Sequence, residues 1–337
     1  MSTSFQQFVS SSNYHPAAPG LDLRQHLRTL RLSVTDLCNF RCRYCMPLSG
    51  VSKRECQDVL PLERLTDLVE WLITHTGIDS IRLTGGEPLV RSGLEHLIAQ
   101  VASLPKVREV SLTTNGSLLR HRAWSLKAAG LTRVNISLDS TDTNRFAEVT
   151  RGGDLRHVLA GIRAAKEAGL VPIKLNSVLR RSTWQHDVPL LLDYVVGTGL
   201  EIRFIELMRT GTERQWCESE FISAENVCRG LRLDMTWVDT TKGEGPARRT
   251  LVNWKGAVLP VGWITPRSRP FCSNCGRLRM DSLGRIRRCL MDPVTLDLAT
   301  LLRMNEETAI DLFNTYIADK MPPTTMENSS AMNEIGG

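Results

Sequence analysis

The sequence predicts an α/β fold, a partial (β/α)6 TIM-like barrel followed by a smaller C-terminal segment. Three observations lead there. Strand-like runs alternate with helical patterns from about residue 30 to residue 207, and such alternation means a parallel sheet with helical crossovers. An internal echo supports the repeat: Ala129-Gly130-Leu131 recurs as Ala168-Gly169-Leu170, each pairing a helix-ending glycine with a strand start. Polar and unusual residues gather at the carboxyl ends of the strands, the rim that carries the site in a (β/α) barrel. Six units fall short of the eight of a closed barrel, so the barrel is expected to be open or partial.

The elements follow in order. Residues 1–27 are rich in Ser, Ala and Pro and are expected to be flexible. A strand over 30–35 delivers the chain into a window of cysteines. A helix over 61–76 leads to a strand at 80–84, one at 93–103 to 107–113, and one at 120–129 to 133–138. A helix at 154–168 leads to 171–178 and one at 186–198 to 202–207. Asp36, Gly85-Gly86-Glu87-Pro88, Thr114-Asn115-Gly116, Ser137-Leu138-Asp139 and Asn176 fall at strand ends, and five such ends point to one pocket. After about 210 the alternation fades. Residues 239–270, rich in Gly, Pro, Lys and Arg, read as loops with short strands. A helix is expected over 296–319, then a flexible tail over 321–337. A soft boundary near 235 divides a barrel over 28–235 from a C-terminal region over 236–320.

With 337 residues, 42% of them hydrophobic and 23% charged, the chain can bury a large core without staples. A net charge of +6 points only weakly to anionic ligands. The opening MSTSFQQFVSSSN has neither a basic nor an apolar signal region, and no stretch approaches the roughly 18 apolar residues of a membrane span. A cytoplasmic protein is expected. The nine cysteines are the unusual feature, because an odd count without a signal peptide argues against a disulfide framework.

Six of the nine fall in two windows: Cys38, Cys42 and Cys45, then Cys272, Cys275 and Cys289. Cys217 and Cys228 read as small buried apolar residues, and Cys56 lies near enough to the first trio to be a fourth ligand. The front pattern is C-x3-C-x2-C; the back pattern is C-x2-C with a third cysteine after thirteen residues. Structural zinc wants four closed ligands, usually in two pairs, and neither window supplies a second pair. Iron–sulfur clusters use thiolates too, so spacing alone places iron–sulfur ahead of zinc. A trio leaves one metal position for a ligand that the protein does not provide.

In full the front window reads Cys38-Asn39-Phe40-Arg41-Cys42-Arg43-Tyr44-Cys45, with an aromatic just before the last cysteine, and it resembles the motif of the radical S-adenosylmethionine (SAM) superfamily. The resemblance implies a [4Fe-4S] cluster on three thiolates, with SAM chelating the fourth iron. Gly85-Gly86-Glu87-Pro88 is similar to the superfamily's GGE element, which contacts the SAM amino group. Paired glycines permit close approach of backbone, and Glu87 can accept a hydrogen bond. In the back window, Arg277 and Arg279 alternate along a strand, so both guanidiniums face one side and can converge on an anion.

The back window with its Arg-x-Arg pair resembles the GTP 3′,8-cyclase family of molybdenum cofactor biosynthesis, whose second cluster has the same spacing. The likeness runs from about residue 28 and includes Arg31-Leu32-Ser33-Val34-Thr35-Asp36, Thr113-Thr114-Asn115-Gly116, Ile173-Lys174-Leu175-Asn176, Arg203-Phe204-Ile205-Glu206 and a terminal Gly336-Gly337. It implies SAM contacts at Tyr44, Gly85, Gly86, Glu87, Ser137 and Met208. It implies GTP contacts at Arg31, Arg82, Thr113, Lys174, Arg277, Leu278 and Arg279, and catalytic roles for Arg31, Arg277, Arg279, Gly336 and Gly337. Five of those seven GTP positions are cationic, matching the about four negative charges of a triphosphate.

The activity implied is a lyase reaction: reductive cleavage of SAM, hydrogen abstraction from ribose C3′ of GTP, and closure onto guanine C8 to give 3′,8-cyclo-7,8-dihydro-GTP. Two [4Fe-4S] clusters, a reductant protein such as flavodoxin or ferredoxin, and a downstream cyclic pyranopterin monophosphate synthase are implied as cofactors and partners. Nucleic acid and membrane are not, and monomer or homodimer stays open. Ser80, Gly276 and Arg209 depart from the family pattern, where a basic residue, Asn and Pro are common. The alternatives are another radical SAM enzyme with an auxiliary cluster, such as a peptide maturase or sulfatase activator, and a non-catalytic zinc protein that binds nucleic acid. The second lacks both the closed ligand sets and a basic patch.

Overall fold

The computed structural model describes residues 23–50, 59–210, 213–238, 245–272, 275–318, 320 and 327–328. Strands β1 (Thr29–Ser33), β2 (Ser80–Thr84), β3 (Glu109–Thr114), β4 (Arg133–Ser137), β5 (Lys174–Leu179) and β6 (Glu201–Glu206) lie side by side in chain order and all parallel. The crossovers carry helices Leu62–His75, Leu94–Ala102, Ala123–Ala128, Leu155–Glu167 and Trp184–Val195. This is the partial six-unit barrel that the alternation predicts. Both Ala-Gly-Leu junctions end a helix as expected. Gly130 (φ +103°) and Gly169 (φ +71°) take the left-handed turn, and the next residues, Leu131 and Leu170, donate their N–H groups back to Leu126 and Ala165 at 3.0 Å.

The chain after β6 extends the same sheet at both edges. After the short β7 (Arg209–Thr210) come β8 (Asp234–Val238), β9 (Arg248–Trp254) and β10 (Ala257–Ile264). Here β10 joins β6 in parallel, and β9 and β8 follow antiparallel. At the other edge β11 (Arg277–Met280) joins β1 in parallel, followed antiparallel by β12 (Arg285–Arg287) and β13 (Leu296–Asp297). Among the described residues the result is one mixed sheet of twelve strands. A last short strand, β14 (Glu327–Asn328), pairs in parallel with β7.

Three readings need correction. Residues 239–270 hold two of the longer strands, β9 and β10, joined by a tight turn with Lys255 and Gly256 at φ +51° and +84°. That geometry is of the hairpin type, but Lys-Gly is not its usual signature. The expected helix over 296–319 is broken into Leu298–Leu301 and Glu306–Ala318, because Asn305 caps a new start by accepting from Thr308 N–H at 2.8 Å. The helix Thr143–Thr150, capped by Asp142 at 3.0 and 2.9 Å to the Asn144 and Arg145 N–H groups, lies in a stretch that the periodicity leaves unassigned. Of the N-terminal 27 residues, Leu23–His26 form a helical turn and Leu27 is fully buried.

One face of each barrel strand makes the core. Leu30 and Leu32, Ile81 and Leu83, Val110 and Leu112, and Val134 and Ile136 join Leu65, Leu68, Leu72 and Leu97 of the helices in one apolar cluster. The alternate residues turn to the barrel interior. Trp263 of β10 locks the C-terminal hairpin onto β6: it is fully buried, its ring lies 5.3 Å from that of Phe204, and its Nε1 donates to Thr250 Oγ1 at 2.9 Å. Trp263→Ala is expected to destabilise the fold by about 3–5 kcal/mol. Trp263→Phe, which keeps a ring against Phe204, should cost clearly less; denaturant unfolding followed by circular dichroism compares the two.

Candidate active site

The barrel interior encloses a cavity of about 370 Å³, and all six clustered cysteines line it. The first trio lies on the loop that leaves β1, where the Cys45 and Met46 N–H groups donate to the Cys42 carbonyl at 2.9 and 3.0 Å. Phe40 N–H points at Cys38 Sγ, 3.4 Å away. Burial pushes the Cys38 thiol up to about 11 and raises the Cys42 thiol well above its ordinary value, the neighbouring thiols and Asp139 adding to Cys42. Crowded, dry thiols of this kind call for a positive partner, and iron supplies one.

The second trio sits between the loop entering β11 and the chain leaving β12. Cys275 N–H donates to the Cys272 carbonyl at 3.2 Å, Arg277 Nε to Cys275 Sγ at 3.3 Å, and Met291 N–H to Cys289 Sγ at 3.5 Å. Burial raises the Cys275 thiol, but the Arg277 and Lys320 cations outweigh it and bring it down to about 7. The eight described cysteines are free thiols; Cys217 and Cys228 are buried as expected, Cys228 within the apolar core and Cys217 against the Thr210 carbonyl, and Cys56 lies outside the described residues. Among the described residues no three His, Cys, Asp or Glu converge on a single metal ion. A [4Fe-4S] cluster does not need that convergence, since each thiolate binds a separate iron. Buried thiols that receive N–H donors fit such a group.

Gly85 and Gly86 line the cavity, and their backs press on the cysteine loop. Gly86 N–H donates to the Thr35 carbonyl at 2.7 Å and Glu87 N–H to Leu37 at 2.8 Å. A Cβ on Gly85 would lie 2.5 Å from the Thr35 carbonyl, so the close approach that glycine permits here includes the chain's own backbone. Glu87 is buried and does not line the cavity. Its Oε1 accepts from Leu89 N–H at 3.0 Å and Thr114 Oγ1 at 2.7 Å, and its Oε2 from Asn115 N–H at 2.6 Å. Burial raises this carboxyl to about 7 against those donors. Asn115 in turn donates to Asn39 Oδ1 at 2.8 Å and hydrogen-bonds the Cys38 thiol. Across the cavity, the Tyr44 hydroxyl donates to Asp139 Oδ2 at 2.7 Å, and Asp139 Oδ1 accepts from Val178 N–H at 2.8 Å. Tyr44 is thereby held in one orientation on the wall that Ser137 and Met208 also line.

Between the trios runs a row of cations. In the sheet register Arg279 stands beside Arg31 and Arg31 beside Arg82, all on the interior face. Burial and these same neighbours lower the proton affinity of Arg31, and burial lowers that of Arg82 to about 9 and Arg279 to about 10. A guanidinium does not give up its proton in a protein, so these shifts express the cost of burying charge beside like charge, a cost that an anion would lower. Arg277 and Thr113 also line the cavity. Lys174 is not among the lining residues: it is buried on the same strand face as Asn176, beside Asn135 and 3.6 Å from Glu201, and burial lowers it to about 8. Leu278 turns its side chain into the core. Gly336 and Gly337 lie outside the described residues.

The lining residues to which the sequence assigned no ligand contact include Asn115, Arg203, Arg288 and Lys320. Asn115 and Arg203 stand inside quoted motifs, and their strand-end and interior-face positions were the available signal. Lys320 carries no sequence signal; a helix end brings it in. No Asp or Glu is among the described residues lining the cavity.

Family models for the radical SAM superfamily and for the molybdenum cofactor synthesis C-terminal region match residues 32–191 and 200–326. A GTP 3′,8-cyclase of Alkaliphilus oremlandii is 36% identical over 93% of this chain and 98% of its own length. Those of Moorella thermoacetica (40%; 93% and 98%) and Pelotomaculum thermopropionicum (41%; 83% and 86%) are similar to it as well. The chain belongs to the GTP 3′,8-cyclase family. Among solved structures, Streptococcus suis SuiB bound to S-adenosylmethionine superposes with a TM-score of 0.62 at 13% identity, over 86% of this chain and 66% of that one. Native anSMEcpe with bound AdoMet gives 0.53 at 16%, over 88% and 84%. These likenesses show the radical SAM fold. Radical SAM membership carries a [4Fe-4S] cluster and SAM as the superfamily's cofactors. No helix of the described residues is long and apolar enough to cross a membrane.

In this member of the GTP 3′,8-cyclase family, the Glu87 carboxylate is the clamp between the GGE loop and the end of β3. Glu87→Ala leaves the Thr114 hydroxyl and Asn115 N–H buried without an acceptor, and a loss of about 1–3 kcal/mol is expected. Glu87→Gln keeps one acceptor oxygen and should lose less; thermal unfolding of the two apoproteins measures the difference.

Proposed function

We propose that this protein converts GTP to 3′,8-cyclo-7,8-dihydro-GTP as a radical SAM GTP 3′,8-cyclase of molybdenum cofactor biosynthesis. One observation carries the reading: two cysteine trios face a single cavity, and the in-register arginines Arg279, Arg31 and Arg82 lie between them. Cys38, Cys42 and Cys45 would hold one [4Fe-4S] cluster, and Cys272, Cys275 and Cys289 a second. When bound, the first cluster and SAM supply the one-electron chemistry, and the second offers an open iron to the guanine edge.

The residues of this chain bind and orient. We assign Tyr44, Gly85, Gly86, Ser137 and Met208 to the SAM side, with Glu87 fixing the loop that carries the two glycines. Arg31, Arg82 and Thr113, joined by Arg203 and backed by Lys174, take the triphosphate. Arg203 Nε and Lys174 both lean on Glu201, at 2.7 and 3.6 Å, which holds two cations close together. Arg277 and Arg279 flank the second trio and hold the base end; Leu278, its side chain in the core, would act through its main chain. β14 brings the tail beside β7, next to Met208, which supports a role at the cavity for Gly336 and Gly337. The walls exclude water from a reaction whose intermediates would otherwise be quenched. A flavodoxin or ferredoxin as reductant, a cyclic pyranopterin monophosphate synthase downstream and a reducing cytoplasmic setting complete the reading.

Anaerobic reconstitution should load about eight irons, four per trio. Incubation with SAM, dithionite and GTP should then yield a cyclised GTP. Two clusters with GTP left unchanged, or zinc in place of iron, would overturn the proposal. Arg277→Ala should lower GTP turnover by at least about tenfold, the loss of one charged hydrogen bond, while slow uncoupled SAM cleavage continues.

A further inference from the structure

Lys320 lines the cavity on the side of the second trio, yet no strand of the barrel carries it. It follows the helix Glu306–Ala318, whose end it extends by donating its own N–H to the Ile317 carbonyl at 2.9 Å. That helix is firmly seated. Phe313 is fully buried with its ring 5.3 Å from Trp71, and the Tyr316 hydroxyl donates to the Ile286 and Val294 carbonyls at 3.1 and 3.0 Å. At its far end, Lys320 Nζ donates to the Arg288 carbonyl, the residue next to Cys289. Arg288 is itself fixed, by Asp292 Oδ2 at 2.6 Å and over the Tyr316 ring at 4.7 Å. An ammonium is therefore held against the second trio by two anchored elements.

Few groups oppose its charge burial. Burial, Arg277 and Arg279 lower its proton affinity, no carboxylate of the described residues lines this cavity, and Cys275 and Cys289 are the groups that favour the ammonium. Cys272 and His26 are its other titratable neighbours. Arg277 donates to the Cys275 sulfur directly; Lys320 does not, so it works through its field rather than as a ligand.

We propose that Lys320 is a positioning residue whose ammonium offsets the charge of the second thiolate trio, stabilising the reduced form of the cluster bound there. The inference rests on the two-cluster reading above. It assigns the helix Glu306–Ala318 a purpose beyond packing: delivering one cation to one cluster. A cation close to a cluster raises its reduction potential, because adding an electron adds negative charge beside it.

The test uses the full chain, reconstituted anaerobically, with redox titrations followed by electron paramagnetic resonance. Lys320→Met should lower the midpoint potential of the second cluster and leave that of the first unchanged, and Lys320→Arg should restore it. If Lys320→Met fails to load the second cluster while Lys320→Arg loads it, the positive charge is required and the inference stands. An unchanged potential in Lys320→Met, equal shifts at both clusters, or loss of the second cluster in Lys320→Arg as well would overturn it. Wild-type protein that loads only about four irons would overturn the two-cluster reading itself, a failure visible before any variant is made.

Discussion

Parallel pairing sets Arg279, Arg31 and Arg82 at one height on three adjacent strands, with their side chains toward the same interior. Neighbouring strands lie about 4.8 Å apart. Two guanidiniums at about 5 Å repel by on the order of 3 kcal/mol at an effective dielectric of 20. The sheet's hydrogen bonds and the apolar face of the same strands, Leu30 and Leu32 beside Leu278 and Met280, hold that repulsion in place. A barrel that keeps such a row dry has a standing affinity for a polyanion. The second trio follows the same logic, since Cys275 supplies negative charge beside Arg277 and Lys320.

The row exists only because the two ends of the chain meet. Arg31 and Arg279 are far apart in sequence, and their contact depends on β11 joining β1 at the open edge of the barrel. The other edge is closed by β10 on β6, with Trp263 buried against Phe204. Both additions are parallel at the point of joining and antiparallel beyond it. Interior-facing residues therefore continue past the barrel proper: Ile264 of β10 and Arg277 and Arg279 of β11 line the same cavity as Ser137 and Arg203. The C-terminal segment works as a wall of the site.

Much of this was legible in the residues. The cysteine spacings, the glycine pair and the alternation of Arg277 with Arg279 each encode local geometry, and local geometry is what a motif can carry. What escaped was tertiary. The two carboxylate oxygens of Glu87 are satisfied by Leu89, Thr114 and Asn115, a choice decided by which strand end lies beside it. The β9–β10 hairpin was hidden by composition. Its turn uses Lys255 and Gly256, and Pro260 sits just before pairing with β6 begins, where the strand has a partner on one side only. Lys320 lies at the end of a helix whose apolar pattern speaks of packing and is silent about where its last turn points.

Charge counting shows the same limit from another side. The formal +6 of the whole chain looks modest because many surface cations are matched locally: Arg43 and Arg151 share Glu213, Arg209 and Arg267 share Glu218, and Lys255 meets Asp193. Inside, the matching thins. Six arginines and Lys320 line the cavity among the described residues, no carboxylate lines it with them, and Glu201 and Asp292 meet Arg203 and Arg288 from behind the lining. The cations of the row face the thiolates and whatever anion enters. Iron bound to those thiolates would neutralise most of their charge, leaving a surplus of cations for a ligand that is itself strongly negative. A triphosphate, with about four charges, is of that size. A neutral or cationic substrate would leave the arginine row uncompensated, and that is the physical reason to expect nucleotide rather than peptide in this barrel.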